Sequence, residues 1–330
     1  MAKSYAMKVL ITGATGLIGK AITDLCREKG ISVNYLTTDR SKIKNEINYR
    51  GYYWEPKNNE IDIKCLEGVT GIINLAGASI ARKWTKAYKE QIISSRTDSL
   101  KTLYNALKSL NSTEKISFVS ASAIGIYPSS FTNFYTEEET NVDASFLGVV
   151  SEIWERETDN FQDLNCNVAK IRIGIVLSSK GGALPNMANA VKRFMGASFG
   201  SGEQWQSWIH LKDIARLFLF TLENNLSGVY NGVAPNPVTN KKMVKELAKV
   251  LKKPLFLPNI PQFVLKLILG EMSYLLFASQ RVSSKKIEKE GFIFEFNNIC
   301  SALEKIYSGK VKKDNTDDVL SGEYVLILKW

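Results

Sequence analysis

The 330-residue chain is 45% hydrophobic and 23% charged, the balance of a folded globular protein and too apolar for a disordered one. Its 43 Lys and Arg against 33 Asp and Glu give a formal charge of +10, which fits nucleic acid, an anionic lipid surface or an anionic ligand such as a dinucleotide alike. The basic residues are scattered, and the pairs Lys241-Lys242, Lys252-Lys253, Lys285-Lys286 and Lys312-Lys313 lack interleaved aromatics, so no nucleic-acid partner is expected.

In chain order, Val9–Thr12 reads as a first strand, Leu17–Lys29 as a helix stopped by Gly30, and Ser32–Thr37 as a second strand. Short apolar runs at Ile72–Asn74, Ile116–Ser120 and Val168–Ile173 continue the series, with helices expected at Lys86–Ser109 and Ser145–Phe161. This alternation predicts an α/β fold, a Rossmann-type doubly wound parallel sheet covered on both faces. After Gly181-Gly182 the pattern turns to helices at Asn186–Met195, Ile214–Glu223, Lys241–Leu251, Phe263–Phe277 and Asn297–Tyr307, with candidate strands at Trp208–His210 and Val229–Val233. The expected organisation is a dinucleotide-binding domain over 7–180, a smaller and mainly helical substrate lobe over 181–308 that partly returns to the sheet, and a tail, 309–330, without a functional reading.

Cys26, Cys65, Cys166 and Cys300 show no C-x-x-C spacing, so they read as reduced packing residues with no metal site. The N-terminal run is too short and wrongly flanked for a secretory signal, and Phe263–Phe277 is broken by Lys266 and Glu271 below spanning length. A cytoplasmic or organelle-matrix protein with no membrane partner is expected.

Gly13-Ala14-Thr15-Gly16-Leu17-Ile18-Gly19 leaves the first strand and opens the first helix, the context a dinucleotide fingerprint requires. Gly13 would permit the tight turn, Gly16 the close approach of a pyrophosphate, and Gly19 the packing of helix on strand, with the amides near Thr15 to Ile18 facing the anion. The second strand ends in Thr37-Thr38-Asp39-Arg40. A carboxylate here would favour NAD(H), whereas Arg40, with Lys42 nearby, would pair a 2′-phosphate bidentately, and NADP(H) is preferred on that ground.

The run Asn74-Leu75-Ala76-Gly77, taken with the glycine loop, resembles the short-chain dehydrogenase/reductase superfamily. Further runs resemble one atypical branch of it, labelled epimerase-family or sugar-nucleotide epimerase-like and in some members cell-division inhibitor: Ala78-Ser79-Ile80-Ala81, Lys83-Trp84-Thr85, Ser95-Arg96, Ser122-Ala123-Ile124-Gly125, Gly174-Ile175-Val176-Leu177, Gly181-Gly182-Ala183-Leu184 and Ser207-Trp208-Ile209-His210. Ala234 to Asn240, Gly270-Glu271-Met272, Ser279-Gln280-Arg281-Val282 and Gly291-Phe292 extend the match, which covers about residues 7 to 308. The resemblance implies an NADP(H)-type cofactor across the strand ends, with Leu75, Ala76 and Gly77 bordering its adenosine half. It also places Arg96 near cofactor or substrate, although Arg96 equally reads as a helix-surface charge.

Active members of the superfamily use a Ser to polarise the substrate oxygen, a Tyr to transfer the proton, and a Lys four residues later to lower the Tyr pKa. Ser122 fits the serine position, but Leu147 and Ser151 fall where Tyr and Lys belong. Tyr127 is the nearest phenol, a candidate replacement acid or else a packed aromatic with a hydrogen-bonded hydroxyl. Gln204, Trp205 and Ser207 read as a substrate-side loop, and Arg82, Lys83 and Trp84 as cleft-mouth residues or equally as a solvated turn. His210 and Asp213 read as structural, Asp213 as the cap of the helix at Ile214. The expected function is an NAD(P)H-dependent oxidoreductase or epimerase-like enzyme on a small polar, nucleotide-sugar-like substrate. The alternative is a non-catalytic NADP(H)-binding regulator.

Overall fold

The computed structural model describes residues 7–110 and 114–308, so the tail 309–330 lies outside the described residues. The chain runs β1 (Lys8–Thr12), α1 (Leu17–Glu28), β2 (Ser32–Thr37), β3 (Tyr49–Glu55), β4 (Gly71–Asn74), α2 (Lys86–Leu110), β5 (Ile116–Ala123), α3 (Phe146–Asp159) and β6 (Cys166–Ile173). It continues through β7 (Ile175–Leu177), α4 (Leu184–Lys192), β8 (Trp208–His210), α5 (Leu211–Glu223), β9 (Gly228–Gly232), α6 (Asn240–Val250), α7 (Gln262–Leu269), α8 (Tyr274–Phe277), α9 (Lys285–Lys289) and α10 (Ile299–Ser308).

Seven parallel strands in the order β9-β6-β5-β4-β1-β2-β3 form the main sheet, with the two-residue strands Asn45–Glu46 and Glu60–Ile61 antiparallel to β3. The chain steps outward from β1 to β2 and β3, then crosses back to β4 on the other side. Right-handed crossovers therefore put α1 and α2 on opposite faces, and the strand order reverses between β1 and β4. α1 packs on α5 and α2 on α3, so both faces are covered. The central strands contribute Leu10, Ile11, Ile72, Ile73, Phe118 and Val119 at full burial, which explains why they read as continuous apolar runs.

A second core joins Leu177, Leu184, Val191, Trp208, Met243, Leu247 and Leu303 beneath α4, α6 and α10. The residues around this second core are not contiguous in sequence, because 211–232 go back to the sheet: α5 lies on α1, and β9 pairs with β6.

Three local readings change. Tyr49–Glu55 is a sheet strand absent from the sequence reading; its Gly51 faces the Tyr35 ring, where a β-carbon would sit 2.6 Å from Cζ. The apolar run expected as one helix over Phe263–Phe277 divides at Gly270, whose φ of +58° suits a residue without a β-carbon. Asp213 does not cap α5: His210 is the N-cap, its Nδ1 accepting from the Lys212 amide. Buried Asp213 instead accepts from the amides of Glu295 and Phe296, pinning a loop more than eighty positions away. Among the described residues no helix is long and apolar enough to cross a membrane.

Candidate functional site

The site is built where the order of strands reverses, at the carboxyl ends of β1 and β4. Thr12 closes β1 and donates to Asn74 Oδ1 at 2.7 Å, while its hydroxyl accepts from the Leu75 and Ala76 amides, both at 3.0 Å. Asn74 in turn donates to Ser120 Oγ at 3.1 Å. These bonds fasten the loop after β4 to the glycine loop.

The three glycines differ in what surrounds them. Gly13 has φ +67°, and a β-carbon there would stand 2.9 Å from the Leu75 carbonyl oxygen. A β-carbon on Gly19 would lie 2.2 Å from the Gly13 oxygen and 2.7 Å from Ala14 Cα, so α1 reaches β1 only because this residue has none. Gly16 is exposed and meets only the Gly13 oxygen, at 3.2 Å, leaving an open approach. Gly16 is also the N-cap of α1, without a side-chain cap or an acidic residue in the first turn, so the amides of the loop keep their affinity for an anion. Thr15 is exposed beside them, and Leu17 and Ile18 are half-buried. Leu17 packs under Gly181 and Gly182, which brings the turn before α4 to the edge of this loop.

At the end of β2, Thr37 is buried and Thr38 exposed. The Asp39 carboxylate is turned into its own chain: it accepts from the amide and the hydroxyl of Ser41 and pairs with Lys42 at 3.1 Å. The hydrogen bonds from Ser41 and Lys42 hold its pKa below the usual carboxylate range. Arg40 lies with its guanidinium 3.7 Å from the centroid of the Tyr53 ring, and no carboxylate pairs with it among the described residues.

Arg96 is not a surface charge. It is 9% exposed, stacks 4.7 Å from the Trp154 ring, and donates from Nη1 to the carbonyls of Ile92 and Ala78 at 2.8 and 3.3 Å. Its Nε has no partner, and no carboxylate faces it among the described residues. Burial pulls its pKa down to about 10. A β-carbon on Gly77 would come within 3.0 Å of Arg96 Cζ, so the loop Leu75-Ala76-Gly77 lies directly on the guanidinium. A buried cation with an orphaned donor beside an exposed glycine fits an anionic or strongly polar ligand.

Ser122 and Tyr127 belong to one buried network. Ser122 Oγ donates to Glu155 Oε1 at 2.7 Å, and Arg172 holds the same carboxylate with two bonds of 2.8 and 2.9 Å. Arg172 Nη1 also donates to the Tyr127 hydroxyl at 2.9 Å, and that hydroxyl donates to Asn231 Oδ1 at 2.8 Å. Tyr127 is fully buried, and burial raises its pKa to about 12. The proton-donor role for Tyr127 is therefore set aside in favour of a packed tyrosine. Tyr127→Phe should lower stability by about 1–3 kcal/mol in denaturant titration, by stripping a partner from both Arg172 and Asn231. A loss of NADPH affinity without a loss of stability would contradict that role.

Leu147 and Ser151 sit where the sequence put them, against Gly125. Ser151 donates its hydroxyl proton back to the Leu147 carbonyl at 2.8 Å. The sequence reading missed Glu155 and Arg172, although an arginine inside an otherwise apolar strand, Val168–Ile173, is the signal of a buried pair.

On the substrate side two of the expected residues are buried and hydrogen-bonded within the chain. Gln204 is 2% exposed and its amide donates to the carbonyls of Phe199 and Leu276, both at 3.1 Å. Ser207 is fully buried, donating to the Gln280 carbonyl at 2.8 Å and accepting from the Val282 amide at 2.9 Å. Both side chains weld the loop to residues 276–282 and are not free to hold a ligand. Trp205 is half-buried, with Nε1 donating to the Phe131 carbonyl and the Arg281 guanidinium 4.5 Å above its ring. Trp84 donates to the Ile80 carbonyl and lies edge-on to Phe146, while Arg82 is exposed near Tyr88.

Residues 9–232 match the model of the NAD dependent epimerase/dehydratase family, and 260–306 match a domain of unknown function, DUF1731. The epimerase family protein SAR0825 of Staphylococcus aureus is 35% identical over 305 residues, covering 91% of this chain and 98% of the relative. The human epimerase family protein SDR39U1 (isoform 2), solved with NADPH, superposes with a TM-score of 0.79 at 26% identity, covering 92% of this chain and 99% of that one. A nucleoside-diphosphate sugar epimerase of Corynebacterium glutamicum gives 0.72 at 29% identity, covering 91% of this chain and 58% of the other. With a Rossmann-type fold, an intact glycine loop and a family match across most of the sheet, this chain belongs to the NAD dependent epimerase/dehydratase family.

Proposed function

We propose that the protein is an NADP(H)-dependent oxidoreductase or epimerase-type enzyme acting on a small molecule at the carboxyl ends of β1, β4 and β5. The observation that carries this reading is the end of β2, where the Asp39 carboxylate is occupied by Ser41 and Lys42 while Arg40 lies on Tyr53 with no carboxylate partner among the described residues. That arrangement offers a 2′-phosphate a guanidinium fork and withdraws the carboxylate that would repel it. The NADPH in the human relative supports the same preference.

In this reading Gly13, Thr15, Gly16, Leu17, Ile18 and Gly19 hold the pyrophosphate. Thr37, Thr38 and Arg40 hold the adenosine phosphate, and Leu75, Ala76 and Gly77 line the cofactor above Arg96. Bound NADP(H) supplies hydride chemistry at its nicotinamide. Ser122, 2% exposed and donating to Glu155, is the residue assigned to the substrate oxygen on its place at the end of β5 alone. With its one proton given to Glu155, its hydroxyl offers lone pairs, which suits a substrate hydroxyl that donates. A polar, nucleotide-sugar-like substrate loses the contacts expected from Gln204 and Ser207, leaving Arg82, Trp84 and Trp205 as its candidate neighbours.

The second reading, a non-catalytic NADP(H)-binding regulator, is favoured by Leu147 and Ser151, which the resemblance aligns with the Tyr and Lys and which offer neither a phenol nor an amine on α3. Absorbance assays with NADP and NADPH over a panel of alcohols and carbonyl compounds separate the two. The enzyme reading predicts turnover that falls by roughly a hundredfold in Ser122→Ala. Tight NADPH binding with no turnover across the panel leaves the regulator. For the cofactor itself, Arg40→Ala should weaken NADPH by about tenfold in calorimetry and leave NADH unchanged. An equal effect on both cofactors would remove Arg40 from the phosphate site.

A further inference from the structure

A cavity of about 550 Å³ opens in the C-terminal lobe between α4, α6 and the stretch from α7 to α8. Its wall is apolar, made by Met187, Val191, Leu247, Leu265, Leu269 and Leu276, with Arg193 among its few polar residues. The volume lies within the roughly 300–1,000 Å³ of ligand pockets. Side chains around an apolar void forfeit their dispersion contacts, so an apolar occupant would be stabilised there. Around it the chain exposes Phe256, Leu257, Phe263 and Leu267, at 71%, 48%, 72% and 87%.

A second depression, of about 420 Å³, adjoins the first and shares Ala197 and Leu257 with it. It is lined by Lys241, Lys245, Lys249 and Lys253. The first three are spaced four apart on α6 and therefore stand in one row, where like charges destabilise a helix. Lys245 and Lys249 have no carboxylate within ion-pair distance among the described residues. Lys253 lies over the Phe194 ring, and Lys241 reaches Glu203 only at 4.0 Å. A row of unneutralised lysines beside an apolar cavity complements a ligand that is apolar at one end and anionic at the other.

We propose that the cavity and the lysine row together bind an amphiphile, with an apolar chain in the cavity and a phosphorylated head on Lys241, Lys245, Lys249 and Lys253. The site is separate from the cofactor residues, and the inference does not depend on the reading given above for them.

Displacement of the fluorescent fatty acid cis-parinarate from the full chain tests it. Palmitoyl phosphate and palmitoyl coenzyme A should displace the probe at concentrations about tenfold below those of palmitate, because their phosphates bring more negative charge and more acceptor oxygens to the lysines than a carboxylate does. Ala190→Phe, which adds a ring to the cavity wall, should weaken all three ligands. Lys245→Glu combined with Lys249→Glu, both on an exposed helix face, should abolish the advantage of the phosphorylated ligands and weaken palmitate less than them. Co-sedimentation with phosphatidylglycerol vesicles but not phosphatidylcholine vesicles, lost in the same double variant, would assign the head to a bilayer lipid. Displacement by the soluble ligands without co-sedimentation would assign it to a soluble amphiphile. Failure of cis-parinarate to bind, or equal displacement by palmitate and palmitoyl phosphate, overturns the proposal. NADPH titration of the same variants should be unchanged, which keeps a failure here distinct from a failure of the cofactor reading.

Discussion

Gly19→Ala is expected to cost about 4 kcal/mol or more of stability, against the ordinary trend for its type. Replacing an interior helical glycine by alanine normally stabilises a helix by about 1 kcal/mol, through propensity. Here the added β-carbon would lie 2.2 Å from the Gly13 carbonyl oxygen, 2.7 Å from Ala14 Cα and 2.9 Å from the Gly13 carbonyl carbon. All three are backbone atoms, so no rotamer change relieves the clash, and α1 must lift away from β1. Gly16→Ala is the matched control: its β-carbon meets only the Gly13 oxygen, at 3.2 Å, on the open side. It should keep the melting temperature and lose affinity for NADPH. Thermal and denaturant unfolding of the two variants checks the pair, and equal stabilities would contradict the assignment of one glycine to packing and the other to the ligand.

Arg172→Met is the other large effect, expected at about 3–5 kcal/mol. Arg172 and Glu155 side chains are 8% and 9% exposed and share two hydrogen bonds. Removing the guanidinium leaves a carboxylate in the interior with only the Ser122 hydroxyl to solvate it, and it takes a donor from Tyr127 as well. Replacing both partners, Arg172→Met with Glu155→Leu, should recover most of the loss, because the penalty lies in the unpaired charge and not in the missing bond. Additive losses in the double-mutant cycle would show that the two side chains are not coupled.

The cofactor loop was legible because its glycines carry meaning only in the strand–turn–helix context, and that context lies within a dozen consecutive residues. Arg40 follows β2 where the sequence placed it, and its role toward a phosphate stays a proposal. The withdrawal of Asp39 was not legible, since it depends on which way a short carboxylate turns, and that was decided by a local bond to the Ser41 amide. Gln204 and Ser207 looked like ligand contacts because a polar, glycine-bearing loop reads alike whether it faces solvent or another segment. Their partners, Leu276, Gln280 and Val282, are more than seventy positions away, beyond the reach of a local pattern. The strand Tyr49–Glu55 was missed for want of a regular apolar alternation, and its Gly51 is explained only by the Tyr35 ring across the sheet. Arg96 was left undecided by spacing alone, because on a helix of twenty-five residues every face is represented. Its burial under Trp154 and Gly77 excludes a surface charge and leaves the contact with cofactor or substrate as a proposal.

The central claim is that the strand ends form an NADP(H) site. Calorimetric titration of cofactor-free protein with NADPH, NADP, NADH and NAD tests it most directly. The account predicts saturable binding, with the phosphorylated pair favoured by about tenfold, the scale of one charge-assisted phosphate contact. Absence of binding by all four dinucleotides would contradict it.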